Sequence, residues 1–484
     1  MNIKQPVKQI FRLMLVLMLA TFLLGCGASS EPTTSPEPTE SSEPTPSSEP
    51  TESSEPTPSS QPTESSEPTP SSEPTESTEA TESSEPMILI SNKPRLTGRA
   101  SESELAELAS GNSAFAFELY QQLRNENEEG NLFYSPYSIS LALAMTYAGA
   151  AGDTAQQMAD TLHYSLPQAP LHPAFNALDT TLSSYGEAEA EEENRFQLNI
   201  ANRIWGQAGY GFLPTYLDTL AENYGAGLQT LDFANHTEEA RQTINEWVSE
   251  QTEEKIQDLI PSGLLDPTVR LVLTNAIYFN GKWVQPFEKD ATHDDQFTLL
   301  DGSTVTVPMM SQTGFFGYAQ ADGYQAVALP YRGADMAMLV LLPQAGRFDE
   351  IEAAFSSDNL TTISDQLTPQ NVRLFVPKFT FESKFNLSDT LAKMGMPVAF
   401  SDQADFSGMT GNRDLLISNV LHKAFVAVDE AGTEAAAATS VGMTLSSAPV
   451  DPALMRLDRP FLFLIRDNRT GTILFVGRVL NPEG

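Results

Sequence analysis

The chain has one cysteine in 484 residues, Cys26. With a single thiol it can form no internal disulfide, so its fold must be held by packing. Positive charge is also scarce, since 27 Lys and Arg stand against 64 Asp and Glu for a net charge of −37. That balance argues against nucleic acid and anionic membrane surfaces as partners. The five histidines, His163, His172, His236, His293 and His422, show no HxxxH or HExxH spacing, so neither a metal site nor a cofactor is expected. No glycine-rich nucleophile elbow precedes any serine, and no catalytic constellation of an enzyme is found. Long apolar runs are missing except from Leu13 to Leu24, which is too short for a comfortable transmembrane span.

That one run follows Lys4, Lys8 and Arg12, the layout of a secretory signal. It closes on Leu23-Leu24-Gly25-Cys26, which resembles the lipobox of bacterial lipoproteins, where the cysteine is lipidated and becomes the mature N-terminus. The expectation is a signal peptide over residues 1–25 and an exported protein anchored to the cell envelope through Cys26. Gly27 in place of an aspartate points to the outer membrane if the host is Gram-negative. Residues 29–86 repeat SSEPTP and SSEPTE with no aromatic residue. Such a segment buries no core and is expected to be a self-repelling, extended stalk that could also carry sugars. In a polyproline-like conformation of roughly 3.1 Å per residue it would reach about 180 Å at most. The charge divides as +3 in residues 1–30, −14 in 31–86 and −26 beyond, so the globular part is acidic as well. Residues 26–95 are thus read as lipidated terminus and stalk, and residues 96–484 as the folded domain.

Within that domain, SELAELASGNSAFAFELYQQL has the spacing of an amphipathic helix, and NLFYSPYSIS opens a mostly apolar, buried one. LNIANRIWG and LVLTNAIYFNGKWVQPF read as strands buried on both faces. VRLFVPKFTFESKFNL and RPFLFLIRDNRTGTILFVGRV look like paired strands, with DNRTG as the turn of the second pair. Helices come mainly first and strands mainly last. The fold class is therefore α+β with large, mostly antiparallel sheets.

One stretch is bland yet placed where a loop begins. LLISNVLHKAFVAV, a strand pattern, runs into DEAGTEAAAATS, and TSVGMTLSSAPVDPALMRLDRP follows with the glycine and prolines of an exposed loop. Alternate residues from Thr433 are Thr433, Ala435, Ala437, Thr439, Val441 and Met443, a face without charge, while Glu434 falls on the other face. With Ala436 and Ala438 equally small, this loop is patterned like a half-buried strand and could join a sheet.

NLFYSPYSIS, LTNAIYFNGKWVQPF, VRLFVPKF, HKAFVAVDEAGTEAAAAT and RPFLFLIRDNRTGTILFVGRV, in this order, resemble the serpin family across residues 98–484. The resemblance implies three β-sheets, about nine helices and an exposed reactive-centre loop. It implies a suicide inhibitor of serine proteases, with cysteine proteases as a second class, acting as a monomer. The protease cuts the loop, is held as an acyl-enzyme, and the loop inserts into the central sheet. On this reading Glu430, Gly432, Thr433, Glu434 and the four alanines form the hinge, Gly432 supplying backbone freedom. Ser135, Ser138, Asn275 and His422 match the polar cluster beneath the sheet opening, and Trp283 the tryptophan where the loop first enters. All five are expected to be structural. The hinge has no proline and no charge on its entering face, which favours inhibition over the alternative of a non-inhibitory serpin acting as a binding or structural module.

Two counts place the scissile bond. Seventeen residues from Glu430, counting it as one, and fourteen back from Pro460 both reach Ser446. The expected bond is Ser446-Ser447, or Leu445-Ser446 one bond upstream, where Leu445 would suit a hydrophobic pocket. No basic residue lies between Glu434 and Leu454, so the expected targets are elastase-like or subtilisin-like rather than trypsin-like.

Overall fold

Helix α1 (Glu102–Glu126) opens on a capping box: the Ser101 hydroxyl accepts from the Glu104 amide while the Glu104 carboxylate accepts from the Ser101 amide. Of the residues at helical spacing, Leu108, Phe115 and Leu119 are buried and Leu105 is half-buried; Leu123 is buried as well. Helix α2 (Pro136–Tyr147) has no polar face to offer solvent and is buried along all twelve residues. This computed structural model describes residues 87–97, 99–185, 197–333, 335–433 and 451–484. Ten α-helices occur among them.

The first sheet is laid over α2. Its seven strands run β1 (Met87–Leu89), β4 (Leu228–Leu231), β3 (Gln197–Gln207), β5 (Leu271–Lys282), β13 (Gly432–Thr433), β12 (Ile417–Val428) and β11 (Phe379–Asn386). Strand β5 is buried on both faces over most of its length, which explains its unbroken apolar run. Helix α5 (Pro214–Tyr224) connects β3 to β4, and α6 (Thr237–Gln251) lies between β4 and β5 in the chain. On the α6 side, a separate cluster of Trp205, Ile244, Val248, Val272 and Leu421 forms a second, smaller core.

The second sheet has nine strands, and its long member β7 (Thr304–Ala321) serves two arms. One arm holds β6 (His293–Thr298), β10 (Thr368–Pro377) and β14 (Ala453–Arg456). The other continues through β8 (Tyr324–Pro330), β9 (Met336–Pro343), β15 (Phe461–Asp467), β16 (Ile473–Val479) and β2 (Leu132–Tyr134). Two of the three expected sheets are thus continuous through one strand. The DNRTG turn does close an antiparallel hairpin of β15 and β16. The other expected pair is corrected: β10 pairs β7 and β14, while β11 pairs β12 in the seven-stranded sheet. Only Lys378 separates β10 from β11, so the chain passes from one sheet to the other without a turn.

The expected domain start at residue 96 also differs from what is seen. Met87–Leu89 pairs antiparallel with β4, because the MILI stretch is apolar and β-branched where the preceding repeats are not.

A buried ion pair ties the helices to the second sheet. Arg478 of β16 donates to Glu352 of α7 (Phe348–Ala353) at 2.7 Å, and the Tyr120 hydroxyl donates to the same carboxylate oxygen at 2.6 Å. Both charged side chains are under a tenth exposed. Replacing Arg478 by Met would leave Glu352 desolvated with only Arg124 as a more distant cation, 3.6 Å away. The expected loss is about 3 kcal/mol of unfolding free energy. Urea titration of R478M with a midpoint equal to wild type would show the pair to be dispensable.

Candidate functional site

Strand β12 ends at Val428, and the chain turns back at once. The Asp429 carboxylate accepts from the amides of Ala431 (2.8 Å) and Gly432 (3.2 Å), and the Asp429 amide donates to the Gly432 carbonyl at 2.9 Å. Aspartate first and glycine fourth is the composition of a tight turn. The turn delivers Gly432 and Thr433 into the sheet between β5 and β12. Gly432 lies opposite Lys282, and Thr433 lies opposite Gly281 on one side and Val428 on the other. A Cβ at Gly432 would sit 2.1 Å from the Gly281 carbonyl oxygen, so only glycine passes there. Thr433 is 1% exposed, and its hydroxyl shares a 2.8 Å hydrogen bond with Tyr331.

Neighbours lock this entry point. Trp283 donates its ring N–H to the Asp429 carbonyl at 3.1 Å and its amide to the Ala431 carbonyl at 2.9 Å, and it stacks on Tyr331 with centroids 4.6 Å apart. Glu430 accepts from the Lys378 ammonium at 2.9 Å and the Thr292 hydroxyl at 2.8 Å, while its carbonyl accepts from the Phe287 amide. Burial alone would raise the Glu430 pKa; the bonds from Lys378 and Thr292 outweigh it and hold the carboxyl below its ordinary value.

Below the entry point β5 and β12 meet directly. They pair in parallel from Leu271/Ile417 to Ile277/Ala424, with an irregularity at Ser418. Asn275 and His422 face each other in that register, and His422 Nδ1 is hydrogen-bonded to Asn275 Oδ1. The other ring nitrogen, Nε2, accepts from the Ser135 amide at 3.1 Å. The ring is therefore the neutral tautomer with its proton on Nδ1. Asn275 in turn donates to Ser138 Oγ (2.6 Å), and Ser138 Oγ donates to Asn202 Oδ1 (3.1 Å). His422, Asn275, Ser135 and Ser138 are all fully buried.

The structure thus brings together Glu430, Gly432, Thr433 and Trp283 at the top of the seam, and Ser135, Ser138, Asn275 and His422 beneath it. Glu434, Ala435, Ala436, Ala437, Ala438, Leu445, Ser446, Ser447 and Cys26 lie outside the described residues. Sequence reasoning missed Asp429, Asn202, Tyr331, Thr292 and Lys378. Only Asp429 carried a signal, the D-x-x-G turn; the others reach the site from distant parts of the chain.

A family model described as Serpin (serine protease inhibitor) matches residues 110–482. The chain is a member of the serpin family. The human leukocyte elastase inhibitor is 39% identical over 395 residues, covering 78% of this chain and all of its own. A serpin-like protein of the archaeon Methanosarcina mazei is 37% identical, covering 78% of this chain and 88% of its own. Among solved structures, human thyroxine-binding globulin in complex with thyroxine superposes with a TM-score of 0.70 at 34% identity, covering 79% of this serpin and all of that chain. Uncleaved ovalbumin gives 0.69 at 29% identity, covering 78% and 100%. Serpins act on proteases. They do so as inhibitors and are not enzymes themselves.

The buried histidines make this serpin sensitive to acid. Burial pushes His422 down to about 3 and His172 down to about 4, so both are neutral in the folded protein. The unfolded chain takes up these protons from pH 6.5 downward. Stability is then fully present above pH 6.5 and falls as the pH drops toward the folded values, by on the order of 1.4 kcal/mol per unit and histidine. Urea unfolding between pH 6.5 and 5 is expected to show this slope, and H422Q to show about half of it. A slope unchanged in H422Q would remove His422 as a source.

Proposed function

We propose that this serpin inhibits serine proteases by acyl-enzyme trapping, with elastase-like or subtilisin-like enzymes as targets. The observation that carries the reading is the two-residue strand Gly432–Thr433 already seated between β5 and β12. Loop insertion after cleavage is general to inhibitory serpins. What the geometry supplies is a register. Continued past Thr433, it would set Ala435 opposite Phe279, Ala437 opposite Ile277 and Thr439 between Asn275 and His422. The Thr433 side chain is buried toward Tyr331, so Ala435, Ala437, Thr439, Val441 and Met443 would follow onto that face and Glu434 onto the other. The uncharged face is the one that would be buried.

The chemistry begins at the target. Its serine oxygen attacks the carbonyl of Ser446 or Leu445, the peptide bond to the next residue breaks, and the new amine leaves with the C-terminal fragment. Insertion must then part β5 from β12 and break the hydrogen bond between His422 and Asn275. The loop supplies Thr439 at that position, a hydroxyl that can donate and accept. Cysteine proteases form the analogous thioester and are a second target class. The identity to leukocyte elastase inhibitors supports a hydrophobic rather than a basic primary residue. Thyroxine-binding globulin is a neighbour of known ligand; it motivates the alternative of a non-inhibitory serpin that binds a partner at the cell surface.

Localisation belongs to the same proposal. Cys26 would carry the lipid, residues 26–95 would hold the domain away from the membrane, and the serpin would act as a monomer outside the cytoplasm.

Mixed with elastase or subtilisin, the wild type is expected to give a covalent band that survives boiling in detergent, and the released fragment to begin at Ser447 or Ser446 by mass spectrometry. T433R, which buries a charge in the seam, is expected to turn the inhibitor into a substrate, with the stoichiometry of inhibition rising at least tenfold. Cleavage without any covalent band would favour the non-inhibitory alternative, and a fragment beginning beyond Val450 would overturn the bond assignment. Separately, C26S is expected to abolish labelling by radioactive palmitate in the bacterial host. Continued labelling would remove the lipid anchor.

A further inference from the structure

The segment between the repeats and α1 is bound along the edge of the seven-stranded sheet. Met87, Ile88 and Leu89 pair with Thr230, Gln229 and Leu228 of β4, and the Thr230 hydroxyl donates to the Met87 carbonyl at 3.2 Å. Beyond the strand, Ser91 Oγ is hydrogen-bonded to Asp218 of α5. Lys93 pairs with Glu222 at 3.0 Å and with Asp218 at 3.6 Å, both on α5. Arg95 crosses to α4 (Gln168–Ser184), donating to Asn176 at 2.8 Å and to Asp179 at 2.6 Å. At Leu96 the amide donates to the Glu222 carbonyl and the carbonyl accepts from the Asn176 side chain, each at 2.8 Å.

The receiving surface is shaped for this segment. Asn176 is 1% exposed, and two of its hydrogen bonds go to Arg95 and Leu96. At Gly227 a Cβ would come within 2.8 Å of the Leu89 carbonyl oxygen. Gly225 has φ +60, and a Cβ there would lie 3.1 Å from Arg95 Cδ. Three acids, Asp179, Asp218 and Glu222, meet two of the few cations of a strongly acidic chain.

We propose that the β4 edge with α4 and α5 is a peptide-binding surface whose ligand is the chain's own segment 87–96, and that its occupancy holds the seam between β5 and β12 shut. The consequence for the seam rests on the inhibitory reading above. Helix α5 is connected to β3 and β4 and belongs with the half-sheet that must move away from β12. Helix α4 packs against α1, and Tyr137 of α2 donates to Asp179 at 3.2 Å, which fixes α4 to the helices beneath the sheet. Segment 87–96 bonds to both sides at once. Helix α4 also packs against α5, with His172 hydrogen-bonded to Tyr224 at 2.6 Å, and the segment adds a second tie, so a shift of the half-sheet past α4 would strain the Arg95 hydrogen bonds as well. The repeats precede Met87 directly, so the tether ends on this tie.

The test uses the full chain in detergent solution, comparing wild type with a K93E/R95E double variant and, from the opposite surface, with G227V. Trapping of subtilisin is followed over days at 37 °C, together with thermal unfolding of the uncut protein. Both variants are expected to lose trapping about tenfold faster and to unfold at lower temperature. A synthetic peptide of residues 87–96 should restore the K93E/R95E protein to the wild-type rate, and a peptide carrying both glutamates should not. Unchanged decay and unfolding in both variants, or faster decay that the wild-type peptide does not reverse, would overturn the proposal. If the wild type traps no protease, the inhibitory reading fails on its own, and unfolding with and without peptide still decides whether this surface binds its segment.

Discussion

At the seam between β5 and β12 two parallel strands meet over seven residue pairs, one buried histidine bonds to one asparagine, and a two-residue strand fills the top. Everything else in the molecule is arranged around that junction. Helix α2 supplies Ser135 and Ser138 from below, α6 and its small core cover the outer side, and Trp283, Tyr331, Lys378 and Thr292 close the entry point. The backbone contacts at the seam are hydrogen bonds that another strand could replace, which is the physical condition for a sheet that can accept one more member.

That condition gives the buried polar cluster a second meaning. A hydrogen-bonded histidine and asparagine inside an apolar core cost desolvation and must be fully paired. Here they are paired across the two strands that the proposed insertion would separate, so the cluster ties the closed sheet at the place where insertion would open it. Leucines at these positions would pack the seam but leave no partner for an entering threonine. The Asp429 turn and Gly432 act in the same sense one level higher, because they aim the chain into the gap.

The organisation of the N-terminus follows from the same economy of contacts. The seven-stranded sheet would end on β4, an exposed edge. Residues 87–96 cover it and join α4 to α5 through side chains of opposite charge. The boundary between repeat and domain is therefore a structural element in its own right.

Much of this was legible in the sequence because periodicity and punctuation are local. The amphipathic α1, the mostly apolar α2, the unbroken β5 run and the DNRTG hairpin each depend on residues within a few positions of one another. The α+β class, with an exposed loop expected after the strand that ends at Val428, followed from those. Pairing across the chain was not legible. The sequence carries no sign that Lys378 meets Glu430, that Tyr331 meets Thr433, that VRLFVPKFTFESKFNL divides between two sheets, or that MILI adds a strand to β4. Those contacts join residues tens to more than a hundred positions apart, and their energy exists only once other elements hold the partners in place. The amino-acid sequence alone determined which segments of the domain are helix and strand and where the repeats run, since local propensity and composition set these. The tertiary structure alone decided that Gly432 and Thr433 are seated in the seam and that residues 87–89 join the sheet edge, since both are matters of which surfaces come to lie side by side.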